Sequence, residues 1–363
     1  MKKKIKLFEV SIDQQEKNAV NHVLRSGFWA SGSGIGNVNK FEEKFNRYVG
    51  SKFCVAVNSG TAALHLALSL ADIKNREVIL PSLSFVSSAH SIIYNGGKPV
   101  FADVEPETLC INPENIKKLI TKKTKAILPV HFGGMACNLD EIKKICNENK
   151  IMLIEDAAHA AGALYKKKKI GTHGDAVCFS FHPIKNLAMP NGGAITLNKK
   201  FNLKSKKILQ AKRWCGISNR KDTKYDITEL GWNYYMNEFS AVIGLKQLSK
   251  LNKVNKFRKK IAKRYCEEIE IENKMPFNNE CSYHLYWIRV KNREKFMKEM
   301  NKAGIETGIH YNPIHKMSFY YQKKKLPVTE KITKEIVSIP MHPNLTEKDI
   351  ELIIKNVNKF KST

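Results

Sequence analysis

Between residue 53 and about residue 200 the chain alternates short apolar runs with helix-like segments, and this alternation constrains the fold more than any other feature. The apolar runs cover 53–57, 77–80, 99–102, 125–130 and 151–154, and helices are expected from Thr61, Phe85, Pro113 and Leu139. Strands that alternate with helices predict βαβ units and a mostly parallel central sheet. Because the runs are continuously apolar, both faces of that sheet should be covered. Two more strands are expected at 176–181 and 194–197, after which the pattern turns helical, with a long amphipathic stretch from about Asn237 to Ile269. A strand over 283–290, a helix over 293–303, irregular Pro-containing segments and a final helix over 346–360 suit a compact α+β cap. A chain of 363 residues has room for both parts, so a large α/β domain is expected over 1–250 and a smaller α+β domain over 251–363.

Two residues in this frame carry chemistry. Asp156 ends the apolar run that begins at Ile151, and Lys185 follows the strand at 176–181 in a His182-Pro-Ile-Lys-Asn turn that opens towards Gly192-Gly193. Their order suggests pyridoxal phosphate (PLP), which keeps its aldehyde on a lysine amine and withdraws electrons best when a carboxylate holds its ring nitrogen protonated. A lysine desolvated in such a pocket loses its proton readily and becomes a nucleophile at neutral pH. With 62 Lys plus Arg and 34 Asp plus Glu, the spacing also suits a solvated lysine and a capping aspartate. The surrounding motifs decide between them.

Asn58-Ser-Gly-Thr-Ala-Ala-Leu64 joins a buried strand to a helix through small residues. Glycine lets the backbone approach a ligand, and the free amides of a first helical turn attract phosphate. The Gly60-Thr61-Ala62 turn is therefore the expected phosphate cradle, although a Ser-Gly-Thr turn also serves as an ordinary helix cap. Phe85 follows the second strand at the carboxyl edge where open α/β sheets bind ligands, as a ring to stack on pyridine or as a core aromatic. His159 is either a donor to the ring hydroxyl of PLP or a packing residue. Ser180 either adds a hydroxyl to the phosphate or bonds to backbone. Lys166 to Lys169 reads as a solvated hairpin turn sooner than as an anion contact.

The formal net charge of +28 does not by itself indicate nucleic acid, because only nine of the 62 basic residues are arginine and the lysines are spread along every segment. A general lysine bias, with attraction of an anionic substrate as a benefit, explains it better. The eight cysteines are scattered without a Cys-x-x-Cys pair, so neither a metal site nor a disulfide framework is expected. No run approaches the roughly 20 apolar residues of a spanning helix, and no hydrophobic block of signal type follows Met1. A cytoplasmic protein without a membrane partner is the expectation.

Eight ordered blocks resemble one family. They are Gly27-Phe-Trp-Ala-Ser-Gly32 with Phe41-Glu-Glu, Asn58 to Leu64, Val130-His-Phe-Gly-Gly134, Glu155-Asp-Ala-Ala-His159, Phe179-Ser-Phe-His-Pro-Ile-Lys185, Gly231-Trp-Asn-Tyr-Tyr-Met236, His310-Tyr-Asn-Pro313 and Ile339-Pro-Met-His-Pro343. Together they resemble the PLP-dependent sugar aminotransferases of the DegT/DnrJ/EryC1/StrS group, which have the aspartate-aminotransferase (type I) fold. The resemblance implies that Lys185 is the Schiff-base lysine and proton carrier and that Asp156 pairs with the pyridine nitrogen. It places Thr61, Ala62 and Ser180 on the phosphate, with Gly60 in the same turn, His159 near the ring hydroxyl and Phe85 on the ring face. Asn233 resembles a residue that reaches the phosphate across a subunit interface, which implies a homodimer with shared active sites. Trp29, His310 and Tyr311 lie in blocks near the substrate.

The implied reaction takes the amine of L-glutamate and passes it to a nucleotide-linked keto-sugar. Two departures stand out: Tyr235 where the family commonly has Arg, and Pro190-Asn191 where it commonly has Gly-Glu. Two alternatives accompany this reading. Some relatives are sugar dehydratases, but those have histidine at the lysine position; a non-catalytic basic binding or regulatory protein would not need Asp156, Ser180 and Lys185 together.

Overall fold

The computed structural model describes residues 4–360. Helix α1 (Gln14–Ser26) starts at a capping box in which Asp13 and Glu16 satisfy each other's backbone amides, and α2 (Asn37–Val49) stops at Gly50 in the left-handed conformation. There follow β1 (Phe53–Val57), α3 (Gly60–Leu68), β2 (Glu77–Pro81), α4 (Ser87–Tyr94), β3 (Lys98–Ala102), α5 (Pro113–Leu119), β4 (Thr124–Ile127), α6 (Leu139–Asn149) and β5 (Met152–Asp156). The short strands β6 (Leu164–Tyr165) and β7 (Lys168–Lys169) precede β8 (Ala176–Ser180) and β9 (Gly193–Leu197). The remainder contains α7 (Leu203–Lys212), the hairpin β10 (Ile217–Lys221) and β11 (Lys224–Ile227), α8 (Glu238–Glu268), β12 (Tyr286–Arg289), α9 (Arg293–Lys302), α10 (Pro327–Glu335), β13 (Ile336–Ile339) and α11 (Glu347–Asn358).

Seven strands form the central sheet in the order β1-β9-β8-β5-β4-β2-β3. From β8 to β3 all neighbours are parallel, as the βαβ pattern requires. Strand β9 is antiparallel to both β8 and β1. The reason is local: the loop 181–192 that joins β8 to β9 forms no helix to carry the chain back across a face of the sheet, so β9 returns beside β8.

The pleat divides the core as the apolar runs lead one to expect. Val55, Val57, Ala176 and Cys178 pack with α3 and α7 on one face, whereas Cys54, Ala56, Val177 and Phe179 pack with α2 and α8 on the other. That second core continues through Trp287 of β12 to Ile350 and Val357 of α11. Residue 250, the expected division between large and small domains, lies inside α8. No described helix is long and apolar enough to cross a membrane.

Some boundaries differ from expectation for identifiable reasons. Helix α4 starts at Ser87, so Phe85 lies in the loop before it and is exposed. The regular strand in the run 125–130 ends at Ile127, before Pro129, which has no N–H for a ladder, and the run stays against the sheet through the Leu128 N–H on the Ile79 carbonyl and a bridge between Val130 and Asp156. The run 283–290 shortens to β12, since Tyr283 takes a positive φ of 48°, and β12 pairs antiparallel with β13 inside a stretch expected to be irregular. The lysine turn is as expected: Lys166 and Lys167, at φ 49° and 65°, have the left-handed backbone of a two-residue hairpin turn between β6 and β7.

Candidate active site

A cavity of about 380 Å³ opens at the carboxyl edge of the sheet, where β1, β2, β5 and β8 end. Of the residues singled out in the sequence, Gly60, Thr61, Phe85, Asp156, His159, Ser180, Lys185, His310 and Tyr311 line it. Ala62, Trp29 and Asn233 do not. Ala62 is buried, with its N–H donated to the Ser59 hydroxyl. Trp29 is exposed beside Phe239, with ring centroids 5.8 Å apart, and Asn233 is exposed and accepts at its carbonyl from the Asn58 side chain.

One end of the cavity is built for an anion. Val57 and Ser180 both pair with Gly193 of β9, so the ends of β1 and β8 lie level and bring the first turn of α3 against Ser180. A Cβ on Gly60 would come within 2.7 Å of the Ser180 Cβ, which explains why glycine occupies that position. Within this turn the amides of Ala62 and Ala63 are taken by the Ser59 hydroxyl and carbonyl. Those of Gly60 and Thr61 are left for a ligand. The Thr61 hydroxyl sits 2.8 Å from that of Ser87.

The other end holds a buried carboxylate. Asp156 accepts from the Ser88 hydroxyl at 2.8 Å and from the Ala158 N–H at 3.1 Å. Since Ser88 gives its proton to Asp156, the Ser84 hydroxyl 2.8 Å behind it is the donor in their own bond. Burial raises the Asp156 carboxyl above its usual range, and these two hydrogen bonds, with the charge of Lys185, oppose the rise.

Lys185 lines the same cavity, near enough to Asp156 for their charges to interact. The Asn186 side chain anchors its loop by donating to Asn255 at 2.9 Å and to the Ser282 carbonyl at 2.8 Å. Burial lowers the Lys185 ammonium to about 8, against the pull of Asp156 in the other direction. The free amine therefore grows as pH rises through about 8, and each unit below that cuts it by about tenfold. Uptake of an aldehyde by the apoprotein should follow this curve and level off above it, which a stopped-flow series across pH would measure. A rate independent of pH between 6 and 9 would contradict the burial argument.

The histidines around Lys185 are neutral. His159 is held well below its ordinary range by burial and by the Lys185 charge, and His310 is lowered to about 4 for the same reasons. The Gly133 N–H donates to His159 Nδ1 at 3.2 Å, so neutral His159 carries its hydrogen on Nε2, which faces the Tyr311 hydroxyl at 3.1 Å. Tyr311 also meets the Phe85 ring, with centroids 6.0 Å apart.

Several site residues were not anticipated. Ser88 follows Phe85 by three residues in the first turn of α4, so its position at the sheet edge was a usable signal. His284, whose Nε2 lies 3.3 Å from Lys185 Nζ, had none, because only the tertiary fold brings it across 99 residues. Asn191, at one family departure, lines the cavity and accepts from the Ser240 hydroxyl at 2.7 Å.

Comparison with known proteins identifies the family. The DegT/DnrJ/EryC1/StrS aminotransferase family matches residues 10–358. The uncharacterized protein MJ1066 of Methanocaldococcus jannaschii is 37% identical over 98% of this chain and 97% of its own length. The spore coat polysaccharide biosynthesis protein SpsC of Bacillus subtilis is 34% identical over 95% and 94%. Among solved structures, Helicobacter pylori PseC, an aminotransferase of pseudoaminic acid biosynthesis, superposes with a TM-score of 0.92 at 27% identity, covering 99% of this chain and 100% of that one. The PMP form of Spr1654 from Streptococcus pneumoniae gives 0.93 at 25% identity, covering 99% and 98%. The chain belongs to the DegT/DnrJ/EryC1/StrS aminotransferase family and is an enzyme with the type I fold of pyridoxal-phosphate-dependent aminotransferases.

Proposed function

We propose that this aminotransferase holds pyridoxal phosphate in the cavity at the carboxyl edge and moves an amino group from L-glutamate to a nucleotide-linked keto-sugar. The observation that carries the reading is that Lys185, a half-buried amine, lines one cavity with a buried carboxylate and an anion-cradling helix turn. The donor set fits the cofactor at both ends. Thr61, Ser180 and the amides of Gly60 and Thr61 suit a phosphate, with Ala62 shaping the turn, while Asp156 suits a protonated ring nitrogen.

When bound, the cofactor supplies an aldehyde for amines and a ring that stabilises negative charge on the neighbouring carbon. Lys185 would hold it through Nζ and, once released, carry the proton between substrate and cofactor carbons as general acid and base. Asp156 would keep the ring nitrogen charged, His159 would turn its Nε2–H from Tyr311 to the ring hydroxyl, and Phe85 would cover a ring face. Asn233, exposed on its own subunit, would complete the phosphate site of a second copy. His310, Tyr311 and the exposed Trp29 would face the sugar.

The sugar acceptor is supported by the relatives: SpsC is named for polysaccharide biosynthesis and PseC for pseudoaminic acid biosynthesis. The cofactor is supported by Spr1654, which was solved in both PLP and PMP forms. The excess of positive charge would draw in a nucleotide diphosphate, and a cytoplasmic location fits such a substrate. Two measurements test the proposal. The purified protein should show a visible absorption band that borohydride removes, and a panel of nucleotide keto-sugars with glutamate should yield, by mass, a product in which an amino group and a hydrogen replace the keto oxygen. A colourless protein that takes up no added PLP would reject the cofactor; a coloured one that aminates no sugar would reject the acceptor.

A further inference from the structure

His284 touches the Lys185 amine yet is absent from the cavity wall. It lies just before β12, 1% exposed, with its backbone N–H donated to the Gly133 carbonyl at 2.8 Å. Its ring is packed between Phe8, stacked at 5.5 Å, and His159 at 4.4 Å. Arg258 of α8 donates to its carbonyl from behind. Ring orientation is thus fixed from several sides. Nε2 points at Lys185 Nζ, 3.3 Å away, while Nδ1 is buried and meets no partner among the described residues.

The unpartnered Nδ1 identifies the tautomer. A hydrogen on Nδ1 would leave a buried N–H without an acceptor, which native structures rarely tolerate, whereas a bare Nδ1 leaves only an unused lone pair. The hydrogen therefore belongs on Nε2, aimed at the lone pair of a neutral lysine amine. The other groups facing Lys185 do not compete for this role. Asp156, at the end of β5, favours the ammonium; His159 Nε2–H is directed to Tyr311; His310 Nδ1 is bonded to Ser338; and His182, in the lysine's own loop, is exposed.

We infer that His284 is a positioning residue, which donates Nε2–H to the lone pair of the Lys185 amine and so favours and orients its neutral form while it is not covalently engaged. This rests on Lys185 being the amine that carries the cofactor. The test uses the full-length apoprotein, so it reads the pair without the loaded enzyme: the labelling rate of Lys185 by an amine-reactive anhydride is followed across pH by peptide mass. Loss of one neutral hydrogen bond in His284→Phe should move the labelling midpoint up by roughly half a unit to one unit. His284→Gln, whose amide still donates, should keep the wild-type midpoint. Nitrogen-15 shifts of the wild-type imidazole should show Nε2 protonated, a result that needs no variant to fold. A midpoint that stays or falls in the phenylalanine variant, a glutamine variant that moves with it, or a hydrogen found on Nδ1 would overturn the assignment. Failure of the cofactor reading would instead appear as a missing absorption band, with the labelling unaffected.

Discussion

Lys185→Ala should lower amino transfer by about 10⁴-fold or more, because the substitution removes both the covalent anchor and the group that carries the proton. The loss should not come from unfolding. The loop is held at its ends by the β8–β9 ladder and at its middle by Asn186, so removing an outlying amine leaves those contacts in place. Turnover assays beside thermal melts separate the two causes: an unchanged melt with vanished turnover is expected, and turnover within tenfold of wild type would end the assignment. The same variant examines the interface. Mixed with Asn233→Ala subunits, it should regain one working site per heterodimer, since one of the two cavities then has both native residues. No recovery after confirmed exchange of subunits would show that Asn233 serves no second copy.

Asp156→Ala has the next largest expected effect, a drop in turnover on the order of 10²–10³-fold, typical of losing a buried electrostatic partner of the reacting group. Its sign on the lysine is opposite. Asp156 raises the Lys185 affinity for a proton, so without it the amine should deprotonate at lower pH and capture an aldehyde at least as readily near neutrality. Uptake and turnover should therefore separate, with the coloured complex still forming and its conversion slowed. A variant that turns over near the wild-type rate would refute the carboxylate's role, and one that is colourless at every pH would show a wider structural part for Asp156.

The sheet was legible because strands buried on both faces are mostly apolar, with few polar residues such as Glu155 and Thr196, and because Ser-Gly-Thr and the strand-end Asp156 are local signals of a ligand edge. The long helix was equally plain, from Asn237 as cap to Ile269 as stop. The direction of β9 was not visible, since a loop of irregular sequence between two apolar strands does not reveal how the second returns. β13 was hidden because Ile336 to Ile339 follows a helix directly and pairs with a strand far away in the chain. The same limit applies to the site. Lys185, Asp156 and Thr61 advertise themselves by local context, but the Ser84–Ser88 relay and His284 acquire meaning only when α4 and the segment before β12 are folded onto the sheet.

The reversal of β9 has a mechanical consequence. Both ends of the lysine loop are stapled to adjacent strands about 5 Å apart, so the amine rides with the sheet, together with Asp156 and the α3 turn. Of the groups from the C-terminal half, His284 shares that seat, because Asn186 of the loop holds the Ser282 carbonyl two residues before it, whereas His310, bonded to Ser338, has no such tie among the described residues. Any closing motion would then change who may approach the amine while leaving its distance to the anchoring groups constant.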